Sequence, residues 1–186
     1  MIDAGELRRG NVLRFDGKLF ELLEFRHQKI GRGSAQVRLR MRDLKTGAIT
    51  ERVNQASQRY ERVRLDQQPV QYLYEDPAGF HFLNMETYDE MILSQADVGQ
   101  VARYLVDSLE LTIVLFEGRP LGLEPPITVD MPVTEAEPGV RGDTATGATK
   151  VAKLSTGLEV QVPLFVNVGD VIKVDTRSGE YLERSG

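Results

Sequence analysis

An arginine held between two glycines, Gly31-Arg32-Gly33, with Lys29 and Ser34 beside it, is the grouping in this sequence best suited to chemistry. The glycines let the backbone turn through positive φ and approach a partner closely. A guanidinium on such a turn offers a planar fork of donors that matches phosphate oxygens. Behind it, Ala35-Gln36-Val37-Arg38-Leu39-Arg40-Met41-Arg42 alternates apolar and basic residues. In a strand this sends Val37, Leu39 and Met41 to a core, and Gln36, Arg38, Arg40 and Arg42 to the opposite face. Arg26, His27 and Lys29 lie on the approach to the same turn. A cationic apex backed by a basic stripe suits phosphate and RNA contact better than catalysis.

A Gly-x-Gly turn can also join two strands without a function, and a charged strand face is often only solvated. The distribution of charge along the chain favours the functional reading. The net charge of the 186 residues is −5, yet residues 1–64 carry fifteen Lys and Arg against eight Asp and Glu. Residues 65–128 carry two against eleven, and residues 129–186 carry six against nine. A basic segment joined to an acidic remainder points to a nucleic-acid partner. The acidic remainder opposes indiscriminate coating of RNA, because repulsion penalises non-specific poses.

The elements that must position the arginines read as short strands. Val12 to Phe15 and Lys18 to Leu23 flank Asp16-Gly17, a two-residue hairpin signal. The Arg32 hairpin follows, then Lys45-Thr46-Gly47 and a strand over Ala48 to Val53. Strands so closely spaced close most naturally into a small barrel, which removes exposed edges. Val70 to Tyr74 and Phe80 to Met85 flank a turn at Asp76 to Gly79. One helix is expected from Gln95 to about Val106, capped by Ser94 with Asp97 in the capping-box position. Thr112 to Phe116 and the turn Glu117-Gly118 follow, and Pro125-Pro126 marks an exit. Strands are expected again at Val129 to Thr134, Leu158 to Val166 and Val171 to Asp175, with a last hairpin at Ser178-Gly179. The reading is all-β: three small barrels in series, over residues 1–64, 65–128 and 129–186. Five strands of the oligonucleotide-binding (OB) type fit each of the last two.

Enzyme signatures are absent. The sequence has no phosphate-binding Gly-x-x-x-x-Gly-Lys loop, no Gly-x-Ser-x-Gly elbow and no His-Glu-x-x-His pair. Its two histidines, His27 and His81, fall in different blocks, which argues against a histidine metal site or a triad. Cysteine is lacking, so disulfides and thiolate metal sites are excluded. No catalytic residue, metal or cofactor is expected. His81, between Phe80 and Phe82, reads as a strand residue with a satisfied partner, and Tyr72, Tyr74, Phe80 and Phe82 read as core. Arg141-Gly142-Asp143 matches a cell-adhesion triplet by coincidence. With no apolar leader and no run approaching a membrane span, a soluble cytoplasmic monomer is the expectation.

Residues 150–169, Lys-Val-Ala-Lys-Leu-Ser-Thr-Gly-Leu-Glu-Val-Gln-Val-Pro-Leu-Phe-Val-Asn-Val-Gly, resemble the signature of bacterial translation elongation factor P. Ile172 to Tyr181, Pro138 to Thr144, and Gly31-Arg32-Gly33 with Ala35, Val37, Leu44 and Thr46-Gly47 extend the resemblance over the whole chain. It implies an SH3-like (KOW-like) first domain and two OB-fold domains in an L-shaped, tRNA-like outline. It implies binding to the 70S ribosome beside peptidyl-tRNA and relief of stalls at consecutive prolines. Proline is a slow substrate because its ring constrains the nucleophilic amine, and the factor acts by positioning the CCA end.

By that resemblance Arg32 is the tip residue, Lys29, Gly31, Gly33 and Ser34 shape its loop, and Arg38, Arg40 and Arg42 face tRNA or ribosomal RNA. Gly142, Asp143, Thr144, Tyr181 and Arg184 match positions that reach the small subunit and the exit site. Many members carry a modified lysine at the tip; Arg32 excludes that chemistry here. Some arginine-type members are rhamnosylated, which leaves an arginine-modifying rhamnosyl transferase open as a partner. The flanking Gly33-Ser34 favours an unmodified Arg32. A paralogous factor-P-like family usually lacks the Gly-Asp-Thr triplet that stands at residues 142–144. The alternatives are a general RNA-binding barrel protein and a hydrolase using the acidic middle block.

Overall fold

In the computed structural model, residues 1–28, 35–139 and 147–185 are described. They form three antiparallel sheets with very little helix. The chain divides into two compact units, Met1–Asp66 with Phe116–Leu121, and Gln67–Leu115 with Gly122–Gly186.

The first sheet contains β1 (Ile2–Asp3), β2 (Val12–Phe15), β3 (Lys18–Gln28), β4 (Gln36–Asp43), β5 (Ile49–Gln55) and β6 (Arg59–Val63), in the order β1-β6-β2-β3-β4-β5. The Asp16-Gly17 turn forms as expected, with both residues at positive φ (51° and 75°). This geometry matches the twist of the β2–β3 hairpin. Leu22, Val37, Leu39 and Met41 are fully buried and pack with Leu7, Leu13 and Tyr60.

The second sheet contains β7 (Asp66–Asp76), β8 (Gly79–Asn84), β9 (Glu90–Leu93), β10 (Glu110–Phe116) and β11 (Arg119–Glu124), ordered β11-β10-β7-β8-β9. The third contains β12 (Thr128–Ala136), β13 (Thr149–Leu154), β14 (Glu159–Pro163), β15 (Val171–Asp175) and β16 (Tyr181–Ser185), ordered β14-β13-β12-β15-β16. The three sheets include two half-barrels.

The expected helix is shorter than its periodicity suggests. α1 spans only Gln95–Val98, and 3₁₀ geometry takes over from Gly99 to Tyr104. The switch comes at Gly99, whose φ of 56° an α-helix cannot accommodate. The Ser94–Asp97 capping box is present. Tyr104, at the end of this segment, inserts into the core of the third sheet beside Val129 and Met131, which fixes β7–β11 against β12–β16.

One turn recurs in all three sheets. Asp43, Asn84 and Asp175 are buried, and each closes its turn with side-chain oxygen bonds to nearby backbone N–H groups. Four residues on, Gly47, Tyr88 and Gly179 take positive φ (73°, 62° and 77°), and each N–H donates back to the first residue's carbonyl. The N–H groups of Thr46 and Lys45, which donate to its side chain, hold the Asp43 carboxyl below its usual range.

Candidate nucleic-acid interface

The alternation of β4 has the predicted consequence: Val37, Leu39 and Met41 are buried, while Arg38, Arg40 and Arg42 are exposed on the other face. Opposite them on β3 stand Arg26, Glu24 and Glu21, and on β5 stand Val53, Glu51 and Ile49. Glu21 and Glu24 are an odd number of residues apart, so a regular strand would send them to opposite faces. The register shift between Leu22 and Glu24 puts both opposite arginines.

Neutralisation along the stripe is uneven. Arg42 is ion-paired with Glu21, and Arg26 with Glu24 at 2.6 Å. Arg38 and Arg40 form no ion pair among the described residues. With Arg26, Gln28, Glu24 and Glu51 they line a depression of about 290 Å³. Ile49 and Val53 stand 56% and 51% exposed on the same face, so the stripe has an apolar flank. Two other arginines of this unit are occupied. Arg52 reaches Asp16 at 3.2 Å and lies over Phe15, and Arg14 reaches Glu61 and Glu117 at 3.4 Å and lies over Phe116. Two exposed guanidiniums without partners are what a phosphate backbone can use.

The other candidates are distributed differently. Tyr181 packs against the core of the third sheet, and Arg184 is half-exposed, 3.8 Å from Asp170 and stacked over Phe165. The structure thus groups Arg38 and Arg40, separates Arg42 from them by its pairing, and gives Tyr181 and Arg184 unlike surroundings. Lys29, Gly31, Arg32, Gly33 and Ser34, and likewise Gly142, Asp143 and Thr144, lie outside the described residues. Gln28 and Gln36, which bracket the tip residues in sequence, are register partners.

His81 is the clearest feature the sequence only half disclosed. It is buried, with Nδ1 2.6 Å from Glu90 Oε1 and Nε2 2.9 Å from Asp76 Oδ1, the latter at ion-pair distance but off hydrogen-bond alignment. The bond to Glu90, then Asp76, pushes its pKa above the usual histidine value. Tyr74 stacks on its ring at 4.3 Å and is 49% exposed, which corrects its expected place in the core. The cause is the register shift between Tyr72 and Tyr74, which breaks the period of two. Among the described residues, no group of three His, Asp or Glu side chains could hold a metal.

Three family descriptions match the chain in succession: the elongation factor P KOW-like domain over residues 3–59, its OB domain over 65–123, and its C-terminal domain over 129–184. The chain belongs to the elongation factor P family. Elongation factor P of Symbiobacterium thermophilum is 43% identical over 185 residues, covering 100% of each chain. That of Pelotomaculum thermopropionicum is 40% identical over 184 residues, covering 99% of this chain and all of its own. The family is one of translation factors and not of classical enzymes. A solved structure of eukaryotic translation initiation factor 5A from Methanococcus jannaschii shares the fold, with a TM-score of 0.53 and 19% identity. The superposition covers 67% of this chain and 90% of that one.

Proposed function

We propose that this protein binds the 70S ribosome beside peptidyl-tRNA and stimulates peptide-bond formation at runs of prolines. The end-to-end family match, with relatives 40–43% identical over at least 99% of the chain, carries this reading. The modules are residues 1–64, 65–128 and 129–186. Arg32 meets the CCA end, with Lys29, Gly31, Gly33 and Ser34 shaping its approach, and the factor acts by positioning rather than by moving a proton. The unpaired Arg38 and Arg40 ground the RNA-backbone role of the stripe, while Arg42, held by Glu21, contributes less. Gly142, Asp143, Thr144, Tyr181 and Arg184 face the small subunit and exit site. The protein works in the cytoplasm as a monomer, with Arg32 unmodified.

The test is cell-free translation of a polyproline reporter with recombinant protein whose mass shows no addition at Arg32. Rescue by this protein supports the reading. Rescue only after a mass increase at Arg32 makes an arginine-modifying transferase a partner. A failure of both forms leaves a general RNA-binding protein, which grips many RNAs with a steep salt dependence.

A further inference from the structure

The second sheet ends on an unguarded strand. β9 (Glu90–Leu93) pairs with β8, and its outer backbone groups meet no other strand among the described residues. Such an edge is a template for another chain, and proteins blunt it with basic residues, proline or a bulge. The other edges follow that rule: β5 carries Arg52, β11 carries Arg119 and Pro120, β14 ends on Pro163, and β16 carries Arg184. β1 is only two residues long. β9 reads Glu-Met-Ile-Leu and pairs without a register shift, and its one charge, Glu90, is engaged by His81.

The face beside this edge is apolar. Register sets Tyr74, His81 and Ile92 side by side across β7, β8 and β9. His81 is buried under the Tyr74 ring, while Tyr74 itself and Ile92 are 49% and 53% exposed. Charge then decides what can cover the patch. Residues 65–102 contain seven Asp and Glu and no Lys or Arg. A phosphate backbone is repelled by such a surface, whereas a Lys- and Arg-rich protein segment is attracted. A second copy of this chain is disfavoured, because β9 against β9 sets acid against acid. Its own basic strand β4 is already paired on both sides, with β3 and β5. An extended basic segment satisfies every feature at once. Its main chain pairs with β9, its aliphatic stems lie over Ile92 and Tyr74, and its cations end among Asp76, Asp89 and Glu90.

We propose that β9 and the Tyr74–Ile92 face dock an extended Lys- and Arg-rich segment of a partner protein by strand addition. The proposal does not rest on the ribosomal reading, and its test uses the isolated full chain without ribosomes. The probes are a peptide of alternating lysine and valine, its glutamate–valine counterpart, and oligouridylate. Fluorescence anisotropy should show saturable binding of the lysine peptide alone, weakening as ionic strength rises. Amide NMR shifts should concentrate in β8, β9 and Tyr74, and β9 amides should gain protection from hydrogen exchange. Ile92→Lys, which guards the edge with a cation, should weaken binding at least about tenfold. Ile92→Thr, which keeps the β-branch that suits a strand, should weaken it roughly threefold to tenfold. Leu182→Lys, on the edge strand of the third sheet, should leave it unchanged. An absence of saturation, equal affinity for the glutamate peptide or oligouridylate, or wild-type affinity in both Ile92 variants would overturn the site. So would concentration-dependent dimerisation that Ile92→Lys abolishes, because the edge would then belong to a second copy.

Discussion

On the outer face of the first sheet, Arg38 and Arg40 stand exposed with no ion pair among the described residues; in the middle block, His81 is buried between Glu90 and Asp76. Both are cationic groups on the middle residues of strands, and their surroundings give them opposite uses. The exposed guanidiniums keep their donors available to a partner from outside. The histidine directs both ring nitrogens at carboxylates from neighbouring strands, so its charge holds β9 and the β7–β8 turn together. Charge identity along a sequence therefore says little about role until the facing strand is known.

The comparison can be broken most forcefully within β4. Leu39→Ala, on its buried face, should cost about 2–5 kcal/mol in chemical denaturation, as large-to-small core changes do. Arg40→Ala, on the exposed face, should change stability by less than about 0.5 kcal/mol. The arginine change should instead weaken ribosome binding and lower its salt slope by about one per arginine removed. A large stability loss in Arg40→Ala would mean that the stripe is structural.

Next comes pH. The folded pKa of His81 is raised, so its stabilising contribution is full below the unfolded value near 6.5 and is lost as pH rises through the folded value. Asp76 is lowered, chiefly by its contact with His81, so its contribution is present above about 3.8 and lost as pH falls through the folded value. The thermal midpoint should thus fall as pH rises above about 6.5 and through the raised folded value. His81→Gln, which keeps polarity without the charge, should flatten that decline. An unchanged slope over that rise in pH in the variant would remove the clamp.

The smallest effect concerns the recurring turn. Tyr88 occupies the left-handed position that Gly47 and Gly179 fill in the other two sheets, at φ 62° and 72% exposed. Tyr88→Gly should relieve the side-chain strain and stabilise the protein by up to about 1 kcal/mol, after the glycine's larger unfolded-state entropy is allowed for. Equilibrium denaturation would register the gain.

Much of this was legible because it is local. The alternation of β4, the Asp16-Gly17 and Glu117-Gly118 turns and the Ser94 capping box each lie within a few residues, and each formed as read. What escaped depends on register. The shifts at Leu22/Glu24 and Tyr72/Tyr74 leave no mark in composition, yet they bring Glu24 opposite Arg40 and take Tyr74 out of the core. The helix ran short because the apolar spacing of Val98, Val101 and Leu105 is met by a 3₁₀ continuation too, and Gly99 decides between them. The partners of His81 come from the end of β7 and from β9, a closure that only the folded sheet reveals.

The most direct test of the central claim is a titration of polyproline reporter rescue with wild-type protein, Arg32→Ala, and Arg38→Ala/Arg40→Ala. If the tip positions the CCA end and the stripe supplies affinity, the stripe variant will need a higher concentration but reach the wild-type plateau. The tip variant will stay below that plateau at every concentration. A tip variant that reaches the wild-type plateau would contradict the account.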